Sequence, residues 1–121
     1  MEQIGYGLVE LIEGGKLHSS EMTQLLHSYV DPMIREGIDY LVLGCSHYPY
    51  LIPQLKEILP THIQIIDSGE AVARQTLNVL KEKVGLNDAI HTGKTEFYSN
   101  INPQVLGDIL QQKYPVSYLD F

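Results

Sequence analysis

The sequence predicts an α/β protein with a mostly parallel sheet and helices on both faces. Short apolar runs alternate along the 121-residue chain with segments of helical periodicity, the pattern of βαβ units. The run 38–43 is almost continuously apolar, which is typical of a strand buried on both faces in a parallel sheet. Residues that favour helix starts and ends flank the periodic segments.

The first helix is predicted over residues 20 to 36, where apolar side chains recur at alternating steps of three and one. Ser19 or Ser20 can cap its start, and Gly37 can end it in the left-handed conformation. Pro32 lacks a backbone donor and clashes with the preceding turn, so we expect a kink or an early helix end there.

The later elements follow from the same signals. Proline is tolerated in a first helical turn and glycine favours helix ends, so Pro49 and Gly85 mark boundaries. The predicted order is strand 38–43, helix 49–59, strand 62–66, helix 68–84 capped by Ser68, polar connection 87–93, strand 95–99, helix 103–112 and strand 116–119.

Composition excludes several classes of protein. Eight basic and fifteen acidic side chains give 8 − 15 = −7 at pH 7, which argues against a nucleic-acid partner. The single cysteine excludes a disulfide within the chain and fits a reducing cytosol. The N-terminus has no signal-peptide pattern. The longest apolar run, 40–45, is too short to span a bilayer, so we expect a cytoplasmic protein without a membrane partner.

Ligands of open α/β sheets bind beyond the carboxyl ends of strands, which indicates the segments 44–47 and 67–69. Cys45 lies just ahead of a predicted helix, where a thiolate is stabilised. The alternative is a small buried apolar residue, a common role of free cysteine. The polar neighbours and the position at a strand end favour a functional thiol.

His47 can orient or protonate a substrate, or it can be a partly exposed residue at the helix entry. No third ligand stands at a recognised spacing from Cys45 and His47, so no metal site is predicted. Asp67 and Ser68 are interpreted as turn and cap residues, and Arg74 as a residue of the solvated helix face. The remaining histidines are expected at the surface: His18, His27, His62 and His91.

The segment Leu41-Val42-Leu43-Gly44-Cys45-Ser46-His47-Tyr48-Pro49-Tyr50-Leu51 resembles the second cysteine signature of the glutamate racemases, within the Asp/Glu racemase superfamily. The resemblance extends over residues 66–73, Phe97-Tyr98 and, before the signature, residues 8–10 and 37–39. His47 favours glutamate, because the related aspartate racemases carry an acidic residue at that point. Ser46 replaces the family's usual threonine and keeps the hydroxyl group.

The resemblance implies cofactor-independent interconversion of L- and D-glutamate for peptidoglycan synthesis. Two cysteines then face opposite sides of the substrate's α-carbon; one thiolate removes a proton and the other thiol delivers one. Cys45 would be one of the pair, taking the proton in the L-to-D direction, with Ser46 and His47 beside the bound glutamate.

The chain has one cysteine, and the family's N-terminal Asp-Ser-Gly turn, Tyr-Gly pair and Cys-Asn-Thr segment have no counterpart in it. It therefore resembles the C-terminal half of a two-domain racemase, inactive by itself. Residues 1–68 would belong to the domain with the second cysteine, and residues 69–121 would pack on the missing N-terminal half. Exposed apolar surface in such a fragment favours self-association, including a homo-oligomer.

Two other functions remain open from the residues alone. One is a Cys–His hydrolase with Cys45 as nucleophile, although neighbours two apart in sequence seldom have the required geometry. The other is a non-catalytic interaction domain that complements a separately encoded first half.

Overall fold

The computed structural model of the chain describes residues 1–86 and 93–121. A short 3-10 helix, Tyr48–Leu51, leads directly into α3. The other elements, in chain order, are α1 (Leu8–Glu13), α2 (Ser20–Arg35), β1 (Tyr40–Val42), α3 (Ile52–Ile58), β2 (Gln64–Ile66), α4 (Gly69–Lys83), β3 (Phe97–Ser99), α5 (Pro103–Ile109) and β4 (Val116–Tyr118).

Helix α2 begins and ends where the sequence predicts. The Ser19 hydroxyl accepts a hydrogen bond from the Met22 N–H at 3.1 Å, and Gly37 follows the helix with φ +76°. Of the two outcomes expected at Pro32, a kink or an early end, the early end is wrong, because the helix continues through Pro32 to Arg35. Burial of Met22, Leu26 and Val30 along one face stabilises the helix enough to accept the lost backbone bond.

Helix α1 was not predicted. Its buried side chains are Leu8, Leu11 and Ile12, the spacing of one helix face. The segment has only six residues, too few for a reliable helical period, and it packs on α2. Packing against α2, rather than intrinsic helix propensity, stabilises α1.

The strands are parallel, as predicted, but they pair into two separate two-stranded sheets, β1–β2 and β3–β4. Leu41 and Ile65 of the first sheet pack on the core, whereas Tyr40 and Val42 are 55% and 67% exposed. The expectation that the run 38–43 is buried on both faces is therefore wrong within the described residues. Alternate side chains of a strand point to opposite faces, and here one face is open.

The hydrophobic core lies in the first half of the chain. Helices α1, α2 and α3 cover one face of the β1–β2 sheet, and Gln54 fastens the loop before α2 by donating to the Leu17 carbonyl at 2.5 Å. Every buried apolar side chain of the described residues lies between positions 8 and 63. They are Leu8, Leu11, Ile12, Met22, Leu26, Val30, Leu43, Leu51, Leu55, Leu59 and Ile63.

Helix α4 starts differently from the prediction. Ser68 makes no side-chain cap; instead Asp67 Oδ1 accepts a hydrogen bond from the Gly69 N–H at 2.8 Å. Gly85, with φ +86°, follows its end as predicted. None of the residues of α4 is buried, so the helix has no packing partner among the described residues.

The last unit joins β3 and β4 through α5. Asn102 caps α5 by accepting a hydrogen bond from the Gln104 N–H at 3.0 Å, and Phe97 contacts Tyr114 with ring centroids 5.0 Å apart. The predicted connection 87–93 falls, except for Gly93, outside the described residues. In the described part of the chain, no helix has the length and apolar character needed to cross a bilayer.

Candidate functional site

The predicted cysteine segment follows the carboxyl end of β1. The Leu43 N–H donates to the Ile66 carbonyl at 2.8 Å, so the two neighbouring strands stay paired up to the point where the polar turn begins. The turn is closed by the Tyr48 N–H, which donates to the Cys45 carbonyl at 3.1 Å. Cys45, Ser46 and His47 thus lie on a turn that is held between β1 and the start of the 3-10 helix.

Cys45 is a free, half-buried cysteine. Its Sγ lies 3.9 Å from Nδ1 of His47, close enough for the weak S–H···N hydrogen bond that a thiol makes. The structure therefore brings together the thiol and the imidazole that the sequence indicated.

His47 also contacts a residue that sequence reasoning missed. Its Nε2 lies 3.0 Å from Oε1 of Glu13, at the end of α1. An ionised carboxylate only accepts hydrogen bonds, so in this pair Nε2 carries the hydrogen. In the neutral ring, Nδ1 then presents its lone pair to the Cys45 thiol.

Glu13, His47 and Cys45 thus form a chain from carboxylate to imidazole to thiol. Such a chain can take the proton of the thiol and hold the ring in one tautomer and orientation. The His47 side chain is 32% exposed and that of Glu13 60% exposed, so water screens the contact between them and its contribution to stability is small. The contact instead fixes the orientation of the His47 ring.

Ser46 is exposed on the same turn, with its Oγ 3.5 Å from Nδ1 of His47. Because the side chain is exposed, its hydroxyl can also donate to or accept from a molecule bound over the turn. All three predicted site residues, Cys45, Ser46 and His47, lie together on this turn.

A cavity of 480 Å³ reaches Cys45 from the side of β1 and α2. Its lining is mostly apolar, with Leu26, Val30 and Met33 of α2 facing the strand. Residues 1–5 also line this cavity. This volume is in the range of small-molecule sites.

Tyr48 borders the cavity and the turn. Burial and, secondarily, the nearby Cys45 raise the pKa of its phenol above the ordinary value of 10.0. The hydroxyl donates to the Gly5 carbonyl at 3.4 Å, so it fixes the N-terminal segment beside the cysteine turn.

The other predicted polar residues lie in structural roles. Asp67 caps α4, and Arg74 is exposed and pairs with Glu70 one helical turn away at 2.7 Å. Of the four remaining histidines, His18, His27 and His62 are exposed as predicted, and His91 lies outside the described residues. Across residues 1–86 and 93–121, no group of three or more His, Cys, Asp or Glu side chains is arranged to hold a metal ion.

Comparison with known proteins finds that this chain is similar to glutamate racemases. A glutamate racemase of Pseudomonas entomophila is 45% identical over 104 residues, which cover 86% of this chain and 39% of that protein. The fold matches a glutamate racemase isoform of Bacillus anthracis with a TM-score of 0.73, at 28% identity over 94% of this chain and 43% of that one. These relatives are glutamate racemases.

A second solved structure, an Escherichia coli glutamate racemase in complex with L-glutamate and the activator UDP-MurNAc-ala, matches with a TM-score of 0.64 and 28% identity. That match covers 95% of this chain and 45% of the Escherichia coli chain. No family model matches the sequence.

The similarity to glutamate racemases confirms the resemblance seen at residues 41–51 and the α/β fold with parallel strands. The chain spans about two-fifths of the length of the curated racemases it matches, 39% in the first comparison. This agrees with the expectation that it corresponds to a portion of such an enzyme.

Proposed function

We propose that the chain is the C-terminal catalytic portion of a glutamate racemase and supplies one of the two thiols that exchange the α-proton of glutamate. The observation that carries the proposal is the Glu13–His47–Cys45 chain at the carboxyl end of β1, in a sequence 45% identical to a racemase. The reaction belongs to the cytoplasm and supplies D-glutamate for peptidoglycan; the lack of a disulfide supports that compartment.

Cys45 acts as the general base in the L-to-D direction. His47 Nδ1 takes the thiol proton, and the resulting thiolate removes the proton from the α-carbon. Glu13 holds His47 with Nδ1 towards the sulfur, so it is a positioning residue. In the opposite direction the Cys45 thiol delivers a proton to the α-carbon.

The substrate is glutamate, bound over the turn that holds Ser46 and His47. Support comes from the complex of the Escherichia coli relative with L-glutamate and from the exposed Ser46 hydroxyl beside the imidazole. The Ser46 hydroxyl can donate a hydrogen bond to a substrate carboxylate, whereas an acidic side chain on this turn would repel it.

The second thiol comes from the part of a racemase that this chain does not match. We assign residues 1–68 to the domain of Cys45, since the buried apolar side chains of the described residues lie between positions 8 and 63. Residues 69–121 pack on the complementary N-terminal portion. The apolar face of α4, exposed in the chain by itself, supports this assignment.

Complementation tests the proposal. The full chain is mixed with the unmatched N-terminal portion of the Pseudomonas entomophila racemase, and racemisation of L- and D-glutamate is followed by chiral chromatography. Exchange of the α-proton with deuterated solvent is measured in parallel. We expect turnover in the mixture, none in either part by itself, and none with Cys45→Ala.

His27→Asn is the matched control, because His27 pairs with Asp31 at 3.1 Å on the exposed face of α2. This substitution removes an imidazole–carboxylate pair that contacts no thiol, so turnover should be unchanged. A stable complex of the two parts without any proton exchange would contradict the proposal. Robust turnover by the chain by itself, abolished by Cys45→Ala, would contradict its inactivity in isolation.

A further inference from the structure

Beyond racemisation, we propose that Cys45, His47 and Glu13 give this chain an acyl-transfer activity. The thiol forms a thioester with neutral esters of short apolar carboxylic acids, and water then hydrolyses it. Racemisation needs a second thiol, whereas this reaction needs only the residues present in the chain.

The first argument is the order of contacts around the imidazole. Nδ1 of His47 faces Sγ of Cys45 at 3.9 Å, and Nε2 faces the carboxylate of Glu13 at 3.0 Å. A nucleophile within reach of a base, with the base oriented by a third group, is the arrangement of nucleophilic catalysis. Thiol–imidazole distances in free enzymes are often longer than in the reacting complex.

The geometry removes the main objection to such a reaction. Neighbours two apart in sequence rarely meet in this way. Here the tight turn after β1, closed by the bond from the Tyr48 N–H to the Cys45 carbonyl at 3.1 Å, folds the imidazole back onto the sulfur. Glu13 arrives from α1, 34 residues earlier in the chain.

The second, independent argument is the cavity that ends at Cys45. It has 480 Å³, and its mostly apolar lining includes side chains of α2 and β1. Glutamate, with two carboxylates, gains little from such a wall. An apolar acyl chain gains roughly 0.8 kcal/mol for each buried methylene group.

Charge selects neutral esters over anionic ones. Residues 1–68 carry three basic and nine acidic side chains, so their formal charge is 3 − 9 = −6. Glu2 lies on the cavity rim and Glu13 beside the imidazole. An anionic acyl group would meet like charges at both ends.

The steps balance without an oxidant, a reductant or a metal. The Cys45 proton moves to His47, the thiolate adds to the ester carbonyl, and the C–O bond breaks. The leaving alkoxide or phenolate takes the proton from His47. Water then gives a proton to His47 and adds to the thioester; the C–S bond breaks, and the thiolate regains its proton as the acid leaves.

The test uses p-nitrophenyl butyrate, p-nitrophenyl acetate and the anionic p-nitrophenyl hemisuccinate with the full chain. We expect a burst of one p-nitrophenol per chain, slower steady turnover, and one butyryl group on the protein by mass spectrometry. Peptide mapping should place this group on Cys45, which is the chain's one cysteine. The butyrate should react fastest and the hemisuccinate slowest.

Variants distinguish activation of the Cys45 thiol by His47 and Glu13 from the reactivity of any free thiol. Cys45→Ser should lose the burst, and His47→Asn should slow acylation at least about 100-fold. Glu13→Ala should slow it less, and Glu13→Gln, which keeps a hydrogen-bond acceptor, should restore part of the loss. His27→Asn should react like the unchanged chain. Circular dichroism checks that each variant is folded.

The proposal is overturned if acylation is no faster than that of N-acetylcysteine at the same pH, or if His47→Asn leaves its rate unchanged. Equal acylation rates for the butyrate and the hemisuccinate would show that the cavity does not select the acyl group. The racemase proposal is tested separately, by turnover of glutamate in the complementation mixture.

Discussion

Glu13 and His47 show what a single residue contributes to this site. They lie 34 positions apart, and their contact of 3.0 Å decides which imidazole nitrogen faces the thiol. The sequence placed Cys45 and His47 at a strand end, because the apolar run and the following Pro49 marked that boundary. It gave no signal for Glu13, since an exposed glutamate at the end of a short helix resembles any solvated acidic residue.

Tyr48 provides a prediction on pH at the residue scale. Its pKa is raised above 10.0, chiefly by burial, so the folded state favours the neutral phenol. The corresponding stability is fully present below the unfolded pKa and is lost as pH rises through the folded pKa. Unfolding in urea at about pH 8 and about pH 11 should therefore show a smaller alkaline loss of the free energy of unfolding in Tyr48→Phe.

Tyr50→Phe is the control for this measurement, because Tyr50 is an exposed neighbour. It should keep the alkaline loss seen in the unchanged chain. If Tyr48→Phe and Tyr50→Phe behave alike across that pH range, burial of the Tyr48 phenol has no measurable effect.

At the scale of elements, the helix starts distinguish reliable sequence signals from weak ones. Ser19 caps α2 as predicted, whereas Ser68 leaves the first turn of α4 to Asp67. Both serines precede helical periodicity, and both residue types are favoured caps. The backbone decides the outcome, because Ser19 is extended with ψ 157°, as a capping residue requires, whereas Ser68 is already helical with ψ −6°.

The two serines give a matched pair of substitutions. Ser19→Ala should lower the free energy of unfolding by about 1 kcal/mol, since it removes the acceptor for the Met22 N–H. Ser68→Ala should change it by less than about 0.5 kcal/mol, as for other surface substitutions. Urea denaturation followed by circular dichroism measures both, and equal losses would contradict the assignment of the caps.

For the whole molecule, the distribution of the core is the decisive feature. Among residues 1–86 and 93–121, no apolar side chain beyond position 63 is buried, yet α4 has an apolar face of its own. Val72, Leu77 and Leu80 lie on that face and are 60%, 42% and 40% exposed. An amphipathic helix with an open apolar face gains stability by packing against another surface.

We therefore expect the isolated chain to self-associate, and sedimentation velocity over a range of concentrations measures this. Leu80→Glu should reduce association and the binding of a hydrophobic dye, because it places a charge on the apolar face of α4. Gln75→Glu introduces the same charge on the opposite face and is the matched control. Equal effects of both variants would show that net charge, rather than the apolar face, governs association.

The sequence by itself determined the α/β class, the parallel strands, the ends of α2 and the place of Cys45, Ser46 and His47. Each of these depends on local signals: apolar periodicity, caps, glycines and a strand boundary. Only the tertiary structure decided that the strands form two sheets, that α1 exists, and that Glu13 meets His47 at 3.0 Å. These features depend on contacts between distant segments, which local patterns do not encode.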